Sequence, residues 1–174
     1  SDLHYTTLLP SSTGPLGPIE GTKDPISTIN GNVFMDATDV VIPCPGPQLS
    51  ASRRYNSLLD GSGNVGYRWK HSYEWSLSGD TNDTAGKTYR VLRTGDGTVL
   101  WFQKAANTYS TPYNNWRITA LTNGTGEVTM PGGIVYGFGT NGLLAAIHDP
   151  WSNALALTYT NISSTNLLTR VQHN

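Results

Sequence analysis

Apolar and polar residues alternate with a period of two along much of this chain, and no segment sustains the 3.6-residue period of a helix. The clearest alternation runs from Trp69 to Leu77. Trp69, His71, Tyr73, Trp75 and Leu77 share one side, and Lys70, Ser72, Glu74 and Ser76 share the other. That pattern predicts a single half-buried strand. A second alternation, over 48–56, places Leu49, Ala51, Arg53 and Tyr55 on one face. Short strands are also predicted over 32–35, 38–42, 88–93, 99–102, 116–121, 128–130, 134–138, 143–147, 154–159 and 167–171. Turn residues separate most of them: Gly95-Asp-Gly97, Asn123-Gly124, Pro131-Gly-Gly133, Asn141-Gly142 and Asp149-Pro150. Pro43, Pro45 and Pro47 remove backbone donors and mark a sheet edge. Residues 1–23, broken by Pro10, Gly14, Pro15, Gly17, Pro18 and Gly21, are expected to be irregular. The fold class that follows is all-β: an antiparallel meander of about a dozen short strands, forming a curved sheet or a sandwich.

The last third carries a repeat. Gly142-Leu-Leu-Ala-Ala-Ile-His-Asp149 and Asn166-Leu-Leu-Thr-Arg-Val-Gln-His173 are each a short apolar strand ending in a polar turn, set 24 residues apart. Spacing in that range is the mark of a protein that stacks one unit on the next. The chain is therefore expected to be a piece of something longer, with Leu167–Val171 as an unpaired edge.

Composition narrows the function classes. At 174 residues the chain suits one ordinary domain. A net charge of −1, with Arg53-Arg54 as the only adjacent basic pair, gives no footprint for nucleic acid. No stretch is apolar for long enough to span a bilayer as a helix. The N-terminal Ser-Asp-Leu-His-Tyr has neither the basic start nor the apolar run of a signal peptide. Cys44 is alone, so no internal disulfide can form. Its apolar setting, with no cationic neighbour, reads as packing rather than reactivity. Richness in Gly, Asn, Thr and Ser, with five Trp and nine Tyr, fits a secreted or surface β-protein.

Few constellations suggest chemistry. Ala85-Gly-Lys-Thr88 has the tail of a phosphate loop, but the required first Gly falls on Thr81. Asp80–Gly86 and Asp60–Asn64 space oxygen ligands like calcium loops yet lack a closing Glu, and polar turns are the plainer reading. The four His never pair at metal-ligand spacing, so no metal or cofactor is expected, and His71 reads as a packed, hydrogen-bonded side chain. No nucleophile-elbow motif is present, and no catalytic residue is assigned. The sharpest binding candidates are aromatic. Tyr109, Tyr113 and Trp116 sit in or beside the polar loop 107–116, and Trp151 lies in the turn Asp149–Asn153. Flat rings beside Asn and Thr could bind a polysaccharide; the plainer reading is that they cover the β-core or dock on further chain.

Several segments in order resemble the domain that precedes the repeats in RHS-repeat (YD-repeat) proteins. They are Asp24-Pro-Ile-Ser-Thr-Ile-Asn-Gly-Asn-Val-Phe34, Thr38-Asp-Val40, Pro43–Pro47, Arg54-Tyr-Asn-Ser57, Gly66-Tyr-Arg-Trp-Lys-His-Ser-Tyr73, the Asp-Gly hairpin at Gly97, and Phe138-Gly-Thr-Asn-Gly-Leu-Leu144. The resemblance covers about 24–174. It departs at Gly66-Tyr-Arg-Trp69, where the family pattern is Gly-x-Gly-Trp, so a different tight turn is expected before Trp69. The resemblance implies three regions: 1–23, an N-terminal β-domain over 24–131, and first strand–turn repeats over 132–174, the last two packed as one unit. It also implies a large secreted or surface polypeptide, bacterial, with teneurins as animal relatives. Repeats in such proteins wind into a hollow β-shell, which in toxin members encloses a toxic domain. This chain would be a non-catalytic module that starts the shell, with the rest of its own polypeptide as partner.

Overall fold

The computed structural model describes residues 26–27, 30–106, 108–111, 115–120 and 125–174, and every statement below concerns these. All regular elements among them are strands, paired antiparallel. The turn expected at Asn123-Gly124 and the side chain of Tyr113 lie outside the described residues.

The chain divides into two compact units that no single cut in the sequence separates. One contains the described residues up to Val40, Ser50–Trp75 and Leu92–Leu100; the other contains Val41–Leu49, Ser76–Val91 and Trp101–Asn174.

In the first unit, β1 (Phe34–Ile42), β2 (Leu49–Asn56) and β5 (Trp69–His71) form a sheet in that order. Arg53 lies opposite His71, and Tyr55 opposite Trp69. A small ladder of β3 (Ser62–Gly63) and β4 (Gly66–Tyr67) sits between β2 and β5 in the chain. Arg53 and Arg54, adjacent on β2, point to opposite faces. Arg53 pairs bidentately with Asp39 at 2.7 Å for both bonds, and Arg54 pairs with Asp36.

The second unit is one long meander. Its sheet runs β16 (Thr165–His173), β15 (Ala154–Ile162), β14 (Leu144–His148), β13 (Val135–Phe138), β12 (Gly126–Thr129), β11 (Arg117–Ala120), β10 (Thr108–Ser110), β9 (Val99–Ala105), β8 (Thr88–Arg93), β6 (Ser76–Leu77), with β7 (Thr81–Asn82) also beside β8. From β8 onward each strand pairs with the next in sequence. The register stacks Ile118, Val128, Tyr136, Ile147 and Leu155 across five strands. Four of these five are buried, and they form the core with Phe102, Tyr109, Phe138 and Leu144. The sheet curls far enough for Ser76 to bridge Leu143, and Leu77 N–H donates to Gly142 C=O at 2.8 Å.

One turn design recurs. Asp83–Lys87, Thr94–Thr98, Met130–Ile134, Gly139–Leu143 and Asp149–Asn153 each have the N–H of the first residue donating to the C=O of the fifth, and the N–H of the fourth to the C=O of the first. The fourth residue is left-handed every time: Gly86, Gly97, Gly133, Gly142 and Ser152, with φ between 70° and 88°. This is the three-residue hairpin that ends in a left-handed bulge. Its twist matches that of the flanking strands, so consecutive strands pair and the meander propagates.

The structure bears out the all-β antiparallel class and revises some elements. The alternation from Trp69 to Leu77 is not one strand. Glu74 N–H donates to His71 C=O at 2.9 Å, Trp75 Nε1 donates to Ser72 C=O at 2.9 Å, and the chain leaves β5 for β6. The period survives because Tyr73 is buried inside that turn. The segments expected at 32–35 and 38–42 merge into β1. The polar stretch expected as a loop at 107–116 contains β10. At Arg68, where the resembled pattern has glycine, φ is 62°. Arg68 holds this left-handed turn by donating from Nε to Leu59 C=O at 3.2 Å.

Ser152 is the only non-glycine at the left-handed position of the recurring turn. Ser152→Gly is expected to stabilise the fold by about 0.5–1 kcal/mol, the steric relief exceeding glycine's added chain entropy. Gly142→Ala is expected to destabilise it, because a Cβ there would lie 2.5 Å from Leu77 C=O. Urea-denaturation midpoints of the two variants check both signs.

Candidate functional site

The densest polar cluster of the second unit centres on Asp80, in the link between β6 and β7. Asp80 Oδ1 accepts from Tyr109 Oη at 2.6 Å and from Arg90 Nε at 2.8 Å, and Oδ2 accepts from Lys104 Nζ at 2.9 Å. The strands set this up. Lys104 and Tyr109 are register partners on β9 and β10, so their side chains share a face. Both cations also lie over the Tyr109 ring, Arg90 at 5.1 Å and Lys104 at 5.5 Å from its centroid. Desolvation pushes the Asp80 carboxyl upward, but the bonds from Tyr109, Arg90 and Lys104 outweigh it and hold the group well below its ordinary value. The cluster therefore stays ionised, as an anchor rather than a proton carrier.

A second cluster forms at the β14–β15 turn. Asp149 is buried; its Oδ1 accepts from Trp151 N–H at 2.9 Å and Asn153 N–H at 3.0 Å, and Oδ2 accepts from Asn153 Nδ2 at 2.8 Å. The bond from the Asn153 side chain is the largest influence holding this carboxyl low, against the opposing effect of desolvation. The Pro-Cys-Pro-Gly-Pro tip lies against this turn. A Cβ on Gly46 would meet Asn153 Cβ at 2.4 Å, and His173 Nε2 lies 2.8 Å from Pro45 C=O. Cys44 Sγ donates to Pro47 C=O at 3.3 Å.

In the first unit the polar side chains of the resembled segments bind the backbone or one another. Ser57 Oγ donates to Asn32 Oδ1 at 3.1 Å and accepts from Val33 N–H at 2.9 Å. Ser72 Oγ donates to Ser50 C=O at 3.3 Å, and Tyr73 Oη accepts from Ser50 N–H at 3.1 Å. Burial holds the His71 imidazole below its ordinary pKa, against the pull of Glu74; its Nδ1 accepts from Tyr73 N–H at 3.3 Å. Gly95 lets the Asp-Gly hairpin close onto this strand, since a Cβ there would lie 2.6 Å from Ser72 C=O. No group of three His, Cys, Asp or Glu able to hold a metal occurs among the described residues.

Among the described residues, the candidate aromatics Tyr109, Trp116 and Trp151 do not form one platform. Tyr109 is fully buried, with its hydroxyl on Asp80, so it presents no face to a ligand. Trp116 is half-buried and Tyr113 lies outside the described residues. Trp151 alone of the placed three is freely exposed, at 79%. Sequence reading missed the Asp80 cluster because its members lie on separate strands. The signal available was the Lys104/Tyr109 pairing across a short turn.

Both anchoring carboxylates bind protons less readily folded than unfolded. Their contribution to stability is complete above the ordinary aspartate value of 3.8 and is lost as pH falls through the lower folded values. Asp80→Asn is expected to lower the melting temperature by a few degrees at pH 7. The deficit relative to the parent should stay constant down to about pH 5 and shrink below pH 4. Thermal melts across that pH range read the effect directly.

Residues 23–102, just under half of the chain, match the family model described as Domain of unknown function (DUF6531). The matched span takes in β1–β8, most of the first unit, and the segments stitched by Asn32, Ser57, Ser72 and Tyr73. No curated protein matches the chain. In sequence, then, residues 23–102 are similar to the DUF6531 family.

Proposed function

We propose that this chain is a non-catalytic structural β-module at the start of the shell of a large, secreted or surface RHS-repeat polypeptide, and that its partner is the remainder of that polypeptide. The observation that carries the reading is the meander of the second unit. From β8 to β16 each strand pairs with its sequence neighbour, one turn design recurs along the way, and the series ends on β16 as an outer strand. Such a sheet grows by adding hairpins, and its last strand offers unpaired N–H and C=O groups to the next. β15 and β16 pair from Leu155–His173 out to Ile162–Thr165, whereas β14 engages only Ala154–Ala156 of β15. The outer part of this hairpin extends past β14, as a strand pair awaiting neighbours would. The family match covers most of the segments on which the RHS resemblance rests, and the polar side chains there serve the backbone.

Carbohydrate binding remains as a second reading on one observation, the exposed ring of Trp151 in a turn fixed by Asp149. It predicts retention on a polysaccharide column that Trp151→Ala abolishes while the fold persists. No retention across a panel of polysaccharides contradicts it.

The structural reading is tested by extension. A longer polypeptide, continuing past Asn174 into further strand–turn units, should melt several degrees higher than the 174-residue chain, because burying the β16 edge adds apolar contact and backbone bonds. An unchanged melting temperature in the longer polypeptide, or a reading frame that holds no further strand–turn units, would sink it.

A further inference from the structure

Where β6 meets the β13–β14 turn, the curled sheet of the second unit leaves a cavity of about 240 Å³. It is smaller than the roughly 300–1,000 Å³ of a drug-sized site, so it admits only a small molecule of few atoms. Leu77 and Phe138, both buried, supply an apolar patch in a lining that is otherwise largely polar, with Ser78, Thr140 and Asn141. Arg90, with only 11% of its side chain exposed, supplies a cation. Glycines keep the space clear. A Cβ on Gly126 would lie 2.7 Å from Leu77 Cδ2 and 2.9 Å from Arg90 Nη1, so Nη1 stands against this part of the wall.

The charge balance selects the ligand. Arg90 and Lys104 share one carboxylate, Asp80, which leaves one positive charge uncompensated in the cluster. Arg90 commits Nε to Asp80, while Nη1 and Nη2 have no hydrogen-bond acceptor among the described residues. A guanidinium edge held in place, half-neutralised and facing a small, largely polar cavity with one apolar patch, suits a carboxylate carrying a short hydrocarbon tail. We propose that this cavity binds a small organic monocarboxylate, its head on the Arg90 guanidinium and its tail on Leu77 and Phe138. The Asp80–Tyr109 anchor then has a second role: it orients Arg90 without fully discharging it.

The test uses the whole chain, isotope-labelled, with amide shifts followed by NMR as sodium butyrate or its neutral isostere butyramide is added. Butyrate is expected to move the amides of Gly79, Gly126 and Gly142 saturably, and butyramide to bind at least about tenfold more weakly. Gly79 lines the cavity, its φ is not left-handed, and a Cβ there meets nothing within 4 Å. Gly79→Leu should therefore add bulk beside the cavity without a clash and weaken the shifts, and Arg90→Gln should abolish them. If Arg90→Gln disturbs folding through Asp80, Gly79→Leu decides alone. Absence of saturable shifts, equal binding of butyramide, or undiminished binding to a folded Gly79→Leu variant would each overturn the proposal.

Discussion

The left-handed residue at the end of each three-residue hairpin is the constraint on which the architecture depends. A turn of this kind needs one residue at positive φ, and glycine supplies it in four of the five described cases. Given that residue, the chain reverses with the twist of its strands and the next strand pairs at once with the last. Gly142 shows how tightly the constraint couples to packing. Its backbone reversal also receives Leu77, so the turn that continues the meander also closes the curl at β6. Ser152 and Arg68 adopt the same region without glycine, and at both sites hydrogen bonds hold the turn in place.

Side-chain chemistry follows from that scaffold. Once β9 and β10 are paired, Lys104 and Tyr109 must share a face, and Asp80 gathers them with Arg90 from a neighbouring strand. Asp149 performs the equivalent task within a single turn, bonding forward to Trp151 and Asn153. Both carboxylates are ionised anchors, Asp149 within a hairpin turn and Asp80 where residues 78–82 run alongside β8. The Asp36 and Asp39 pairs with Arg54 and Arg53 are exposed and solvent-screened, and contribute less to stability.

Much of the fold was legible because strand period and turn chemistry are local signals. β2, β8 and β11–β16 fall close to where alternation and Gly, Asn or Asp-Pro turns place them. What failed was non-local. The run from Trp69 to Leu77 keeps its period through a turn, because Tyr73 and Trp75 are packed in the bend as they would be in a strand. β10 was hidden by its polar neighbours, and Tyr109, read as a loop aromatic, is buried by the partners of its cluster. Of the candidate ligand residues, Trp151 was legible as a turn residue, but its exposure depends on the Asp149 turn and the packing around it. The cavity beside Arg90 could not be read at all, since it needs β6, β8, β12 and the β13–β14 turn brought together.

A sheet assembled by serial hairpins leaves a strand edge at its end to which a further hairpin could pair. In the function proposed above, the outer edge of β16 is the one that further chain would cover. Hydrogen–deuterium exchange of the β16 backbone amides, resolved residue by residue, tests it most directly. In the 174-residue chain, amides bonded to β15 should be protected and the alternating outward ones should exchange freely; in a polypeptide continuing past Asn174 the outward set should become protected too. Outward amides already protected in the shorter chain, or still exchanging freely in the longer one, would contradict the account.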